Sequence, residues 1–195
     1  ATTGTFSADS TVNGVTVGRG ANSVSSNTVL GVNALDANTT GAQNTVVGKS
    51  SATENTTGTD NTSLGSQALQ LNTTGDRNTA LGKDALRYFI ASNNTAIGVD
   101  ALQGVNGSST GSDNVAIGYL SLASDTTGAN NVAVGKESLE ANTTGGQGVA
   151  VGRKALEANT TGDNNTAVGH FALGANTTGG NNIAIGRESL GANTT

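Results

Sequence analysis

The chain has 195 residues, of which 34% are hydrophobic and 12% charged, with a formal net charge of -5, 29 Gly and no Cys or Pro. The lack of Cys excludes disulfides, zinc–cysteine sites and thiol catalysis, and the single His excludes a His metal cluster within one chain. The acidic balance argues against nucleic acid as the main partner, no apolar run approaches the length of a membrane span, and no cofactor is expected.

The segment 1–26 is predicted to be a lead-in to a repetitive region. The sequence G-V-T-V-G-R-G at 14–20 is similar to the repeats that follow, and it predicts a degenerate first coil. The residues before it, including Thr5, Phe6 and Ser7, do not repeat, and we interpret them as a junction to an upstream part.

The segment 27–195 consists of ten tandem units, the last of them incomplete. We number each unit from the residue four places before its first Gly, so that it reads N-T-A-[VIL]-G-x-x-[AS]-L-x-x-N-T-T-G-x-x. The Gly at position 5 recurs about every 17 residues, a nearly fixed period that marks a tandem repeat. These glycines are Gly31, Gly48, Gly65, Gly82, Gly98, Gly118, Gly135, Gly152, Gly169 and Gly186. The tenth unit stops at Thr195, before the Gly of its N-T-T-G turn, which leads us to expect a segment of a longer fibre protein.

The unit predicts β-structure, because a period of about 17 residues is too short for a helix-turn-helix repeat and because Asn, Thr and Gly disfavour helix. Positions 1–5 are typical of a short strand ended by Gly. The residues around the Leu at position 9 predict a second, weaker strand, and N-T-T-G predicts a turn. Strands and turns at this period predict an all-β fold, a parallel β-solenoid or β-roll. It would contain about ten to eleven coils stacked about 4.8 Å apart.

The energetics of one coil predict association between chains. The aliphatic residue at position 4 and the Leu at position 9 contribute about 1.5–3 kcal/mol each if fully buried. Ordering one unit costs about 25 kcal/mol, so this burial offsets only a small part. Small residues at positions 3 and 8 allow close backbone approach. We therefore expect copies to pack side by side, most simply as a closed homotrimer, with a monomeric rod as the alternative.

Two groups of residues are candidates for binding. Position 6 holds six of the nine basic residues, which we expect to stack into a broken basic column: Arg19, Lys49, Lys83, Lys136, Arg153 and Arg187. This column either meets an anionic glycan or phosphate-rich polymer, or forms a solvated turn paired with neighbouring acids. His170, in a turn, is not expected to be catalytic.

Units four and five depart most from the pattern. Arg87, Tyr88 and Phe89 replace the usual approach to the turn, and 103–110 carries a three-residue insertion. Insertions in solenoids project as loops on one face, and aromatic side chains suit sugar stacking. These residues bind a surface glycan, fill space between chains, or reflect simple drift of the repeat.

The repeated core N-T-A-[VI]-G-x-x-[AS]-L resembles the head repeats of trimeric autotransporter adhesins of the YadA type. The longer form ending in A-L-x-x-N-T-T-G, with the lead-in S-T-V-N-G-V-T-V-G-R-G at 10–20, is similar to the repeats of bacteriophage tail fibres. The resemblance implies a left-handed parallel β-roll that is trimeric about a fibre axis and lies on a virion or cell surface.

Together these observations lead us to expect a non-enzymatic, extracellular structural fibre segment. The preferred hypothesis is a rigid trimeric rod on the virion surface, part of a phage tail fibre that mediates or presents attachment to a host surface receptor. The alternative is the head or stalk of a bacterial trimeric adhesin on the cell surface that binds matrix or glycans. A glycan-cleaving fibre enzyme would need acidic residues clustered in a groove, whereas the 14 acidic residues are scattered over turn positions.

Overall fold

The computed structural model describes residues 9–105 and 109–194, so Thr5, Phe6 and Ser7 lie outside the described residues. Within the described ranges, twelve short strands follow one another in chain order in a single sheet. They are β1 (Ser10–Val12), β2 (Val15–Gly18), β3 (Thr28–Gly31), β4 (Thr45–Val47), β5 (Thr62–Leu64), β6 (Thr79–Leu81), β7 (Thr95–Ile97), β8 (Val115–Ile117), β9 (Val132–Val134), β10 (Val149–Val151), β11 (Thr166–Val168) and β12 (Ile183–Ile185). A 3-10 helix spans Ala21–Ser23. No helix in these ranges has the length and apolar character that crossing a membrane requires.

Strands β3 to β12 pair in parallel, each with the equivalent strand of the next unit. The prediction of an all-β parallel β-solenoid is therefore confirmed, with about nine turns of about 17 residues. The insertion in unit five leaves the register unchanged, because Ala96 still pairs with Ala116.

The lead-in forms an antiparallel hairpin rather than a coil. β1 pairs antiparallel with β2 through a tight turn in which Asn13 and Gly14 have φ of 51° and 79°. Asn-Gly with positive φ at both residues favours a two-residue hairpin turn, and a parallel partner would need a much longer crossover. β2 then pairs antiparallel with β3, so the hairpin covers the edge of the first coil.

In units one to nine the residues at positions 3 and 9 are buried in the interior of the coil, whereas Leu190, at position 9 of the last unit, is 49% exposed. Position 3 is most often Ala, as at the fully buried Ala96 and Ala150, and Leu86 and Leu156 at position 9 are also fully buried. The aliphatic residue at position 4, expected in the core, points outward instead. A three-residue strand turns only its middle side chain inward, because successive side chains alternate between the two faces.

The second strand expected around position 9 is a stacked turn. Leu86 and Leu139 have φ of 52° and 50°, which is left-handed and not extended. The coils still connect here, since the Leu86 amide donates to the Ala101 carbonyl of the next coil at 3.1 Å. Positions 7 and 17 are left-handed in the same way, as at Glu137 and Asn164.

Two ladders of buried Asn side chains run along the inside of the rod. At position 1, Asn61 Nδ2 donates to the Gly75 carbonyl at 2.9 Å, while Asn61 Oδ1 accepts from the Asn78 amide of the next coil at 2.9 Å. At position 12, Asn159 Nδ2 donates to Asn142 Oδ1 of the preceding coil at 2.9 Å. The ladder asparagines therefore bond to the buried backbone and to one another, as buried polar groups require; among the described residues of the ladders, Asn55 Oδ1 has no partner.

Candidate functional site

An aliphatic stripe runs along the outside of the rod, one residue per coil at position 4. Its members are Leu30, Val47, Leu64, Leu81, Ile97, Ile117, Val134, Val151, Val168 and Ile185. Leu64 is 46% exposed and Val151 36% exposed. In β8 to β10 the position-2 valines Val115, Val132 and Val149 lie on the same strand face and widen the stripe. Seven of the ten are exposed and Val47, Ile97 and Val134 are half-buried. An apolar surface that recurs on successive coils in this way marks an interaction site.

The residues at position 6 form a single column, aligned by backbone hydrogen bonds between coils. The amide after each position-6 residue donates to the position-6 carbonyl one coil earlier, as from Lys154 to Lys136 at 3.0 Å and from Phe171 to Arg153 at 3.0 Å. Lys136, Arg153 and Arg187 are thus brought together on one corner, with His170 between the two arginines. Lys83 lies in the same column, and Val99 and Tyr119 separate it from Lys136.

Three of the six cations of the column pair with the acid that follows them. Lys83 Nζ lies 3.1 Å from Asp84 Oδ2, and Lys136 Nζ lies 3.0 Å from Glu137 Oε1. Arg187 forms a pair of the same kind, with its Nη2 atom 2.9 Å from Glu188 Oε1. Such pairs are what the alternative of a solvated turn, with its charges paired to neighbouring acids, predicts. Such exposed pairs contribute little stability, but they reduce the net positive charge that the column offers to an anion.

Arg153 differs from Lys83, Lys136 and Arg187 because its side chain contacts His170 and not a carboxylate. Its Nη1 atom lies 3.2 Å from His170 Nε2, in the next coil. His170 Nδ1 is buried without a hydrogen-bond partner among the described residues. The sequence predicts only that His170 lies in a turn. Stacking of the coils brings its side chain into contact with Arg153.

The structure separates the aromatic residues of unit four. The Arg87 guanidinium lies 4.9 Å from the centre of the Tyr88 ring, and its Nε donates to Gln70 Oε1 at 2.9 Å, on the outer surface. Phe89 is only 1% exposed, because it takes the inward-facing position 12 that Asn holds in most other units. Its ring lies against Gly104 in the next coil and is not available to a surface ligand. Arg87 and Tyr88 thus remain the surface part of this candidate site.

Three glutamates that are separated in sequence meet on the surface. Carboxylate oxygens of Glu137, Glu140 and Glu157 lie within 4.8 Å of one another. Lys154 Nζ lies among them, 2.6 Å from Glu157 and 3.4 Å from Glu137. Burial, then the charges of Glu137 and Glu157, raise the pKa of Glu140, whereas hydrogen bonding to Lys136 lowers the pKa of Glu137. Sequence reasoning missed this cluster because it spans two coils, and Lys154 already supplies it with a cation.

These features define the class of the protein as an all-β parallel β-solenoid with an exposed aliphatic stripe. Comparison with protein-family models, curated proteins and solved structures found no match for the chain.

Proposed function

We propose that the protein is a non-enzymatic structural rod within a homotrimeric extracellular fibre, a segment of a phage tail fibre on the virion surface that presents or performs host attachment. A bacterial trimeric surface adhesin would use the same kind of rod. The longer repeat, with its N-T-T-G turn, resembles the phage fibres more closely, and we therefore prefer the phage hypothesis.

The aliphatic stripe is the observation that carries the association. Its ten side chains follow the rod on every coil from β3 to β12, so a second copy alongside would bury it along its whole length. Burying a fully exposed aliphatic side chain contributes about 1.5–3 kcal/mol. The stripe side chains are already partly buried, so each contributes a fraction of this, and the sum over ten coils offsets the cost of joining the chains. A self-complementary stripe on identical rods favours a closed symmetric assembly.

The mass of the chain in solution tests this proposal. Light scattering after size exclusion is expected to give three times the chain mass of 19.0 kDa. The variant Val151→Asp with Val168→Asp places charges in the eighth and ninth coils of the stripe and is expected to release monomers. Its matched control is Thr144→Asp with Thr161→Asp, which places the same charges at exposed position 14, away from the stripe.

The two variants separate a stripe interface from other modes of association. A single-chain mass for the unmodified protein would contradict the proposal. Equal dissociation of the stripe variant and its control would show that the stripe is not the interface, and a two-chain mass would replace the trimer with a dimer.

A further inference from the structure

A shallow groove of about 290 Å³ lies on the outer surface of units six to eight. Its floor is formed by Ala129 and Gly146, both at position 16, where units three and eight carry the larger Asp76 and Asp163. Asp163 closes one end, with its Oδ1 accepting a hydrogen bond from the Gly146 amide at 2.7 Å. Two small residues on successive coils therefore recess the surface at this place.

The walls of the groove are polar and exposed. One wall carries the hydroxyls of Thr127 and Thr144 at position 14, and the other carries the side-chain amides of Asn130 and Gln147 at position 17. The preceding threonines differ, since Thr143 at position 13 donates its hydroxyl to the Thr160 carbonyl at 3.0 Å. The wall groups point into solvent, where they can exchange water for a ligand.

The chemistry of this lining selects among ligand classes. None of the described residues that line the groove is Lys or Arg, and Asp163 repels anions, so an acidic ligand is disfavoured. None is a large apolar residue either, which disfavours a lipid tail or an apolar peptide. Hydroxyl, amide and carboxylate groups together match the hydroxyls of a sugar, because a carboxylate accepts and an amide both donates and accepts.

We infer that this groove binds a segment of a neutral glycan. The inference rests on the proposed attachment role. It places the binding site in the groove and not at the basic column or unit four. The volume lies just below the range of about 300–1,000 Å³ typical of small-molecule sites, which suits one or two sugar rings. Binding to one chain is expected to be weak, and repetition on associated chains would strengthen it by avidity.

Saturation-transfer NMR on the full chain tests whether the groove binds sugars. The neutral probes are maltotriose, galactotriose and chitotriose, and the acidic comparison is trigalacturonic acid. We expect at least one neutral probe to bind and the acid to bind less well. Ala129→Leu fills the floor and is expected to weaken that binding at least tenfold. Ala42→Leu, the same change at position 16 of the first unit, is the matched control and is expected to leave binding unchanged.

Three results would overturn the inference: no binding of any neutral probe, stronger binding of trigalacturonic acid, or equal losses in Ala129→Leu and Ala42→Leu. If Ala129→Leu does not fold, Gln147→Ala removes one wall amide from the exterior and is expected to weaken binding, with unchanged binding counting against the groove. Light scattering on the same samples reports the association of chains separately. A trimer that binds none of the neutral probes would reject the groove and leave the proposed rod standing.

Discussion

Asn131 Oδ1 accepts a hydrogen bond from the Gly148 amide at 2.8 Å, but Gly148 has no side chain with which to continue the ladder to Asn165. In the coil before, Asn131 Nδ2 donates to the Gly145 carbonyl at 2.9 Å. The corresponding bond from position 148 to the Gly162 carbonyl cannot form. The position-1 ladder is therefore interrupted at Gly148.

Gly148→Asn is expected to repair the ladder. A Cβ at this position would meet Asn131 Oδ1 at 3.0 Å and Leu139 Cδ1 at 3.6 Å, so the fit requires only a small shift. The regained hydrogen bonds and the lower chain entropy of the unfolded state should raise the free energy of unfolding by about 1–2 kcal/mol. Urea denaturation measures this change. Gly148→Ala is the control, and a gain no larger than that of Ala would refute the repair.

Asp125 occupies a place that Asn holds in most units of the position-12 ladder. Its Oδ1 accepts from Asn142 Nδ2 at 3.0 Å, while its Oδ2 is buried without a partner among the described residues. Burial raises the pKa of Asp125 to about 8, against hydrogen bonds from Asn142 and Gly128 that lower it. The folded rod therefore keeps this carboxyl protonated at neutral pH.

The raised pKa makes stability depend on pH. Because the unfolded chain releases this proton near its ordinary pKa of 3.8 and the folded chain near 8, folding takes up a proton between these values. The free energy of unfolding should fall as pH rises from about 4 to about 8 and then level off. Asp125→Asn should remove this slope and raise the midpoint of thermal unfolding at pH 8 by about 4 °C or more. Melting curves across this range check both, and parallel pH profiles would argue against a neutral Asp125.

The position-5 glycines that have a coil stacked on them, from Gly31 to Gly169, are expected to tolerate no side chain. Gly135 has φ of 134°, and a Cβ on it would lie 2.6 Å from the Gly152 carbonyl oxygen of the next coil. Gly135→Ala should therefore lower the free energy of unfolding by at least about 1–3 kcal/mol. Gly146→Ala is the control, since its backbone is not left-handed and its nearest contact would be 3.1 Å. Equal denaturation midpoints for the two variants would contradict this account.

Phe89 and Tyr88 are expected to respond differently to truncation. Phe89→Ala empties a buried position and should cost about 3–5 kcal/mol. Tyr88→Ala removes a partly exposed ring and should change stability by less than about 1 kcal/mol. Chemical denaturation of the two variants measures the difference. A larger loss for Tyr88→Ala would place the aromatic core residue one position earlier than the structure does.

The repeat made the solenoid predictable, because the spacing of the position-5 glycines contains the period and the β-branched residues mark the strand. The inward face of the strand was harder to predict. Burial preference alone would place Ile97 inside and leave Ala96 outside, but alternation along the three-residue strand turns its middle residue, Ala96, inward. The left-handed backbone of Leu86 could not be predicted either, because Leu rarely adopts positive φ.

The candidate site could be predicted only in part. The basic column followed from the period, but its contacts did not, because the Arg153–His170 contact joins side chains of different coils. The burial of Phe89 could have been predicted from the repeat. Phe89 occupies position 12, which Asn holds in most units, and a position that faces inward in most units faces inward in the others as well.

The contacts that hold the coils together run from one coil to the next, and the register survives an irregular step, as the pairing of Ala96 with Ala116 across the insertion in unit five shows. Gain or loss of a whole unit would thus leave the other coils as they are and alter the rod by about 4.8 Å. A protein built this way acts as a ruler: the distance it spans is set by how many units the gene encodes.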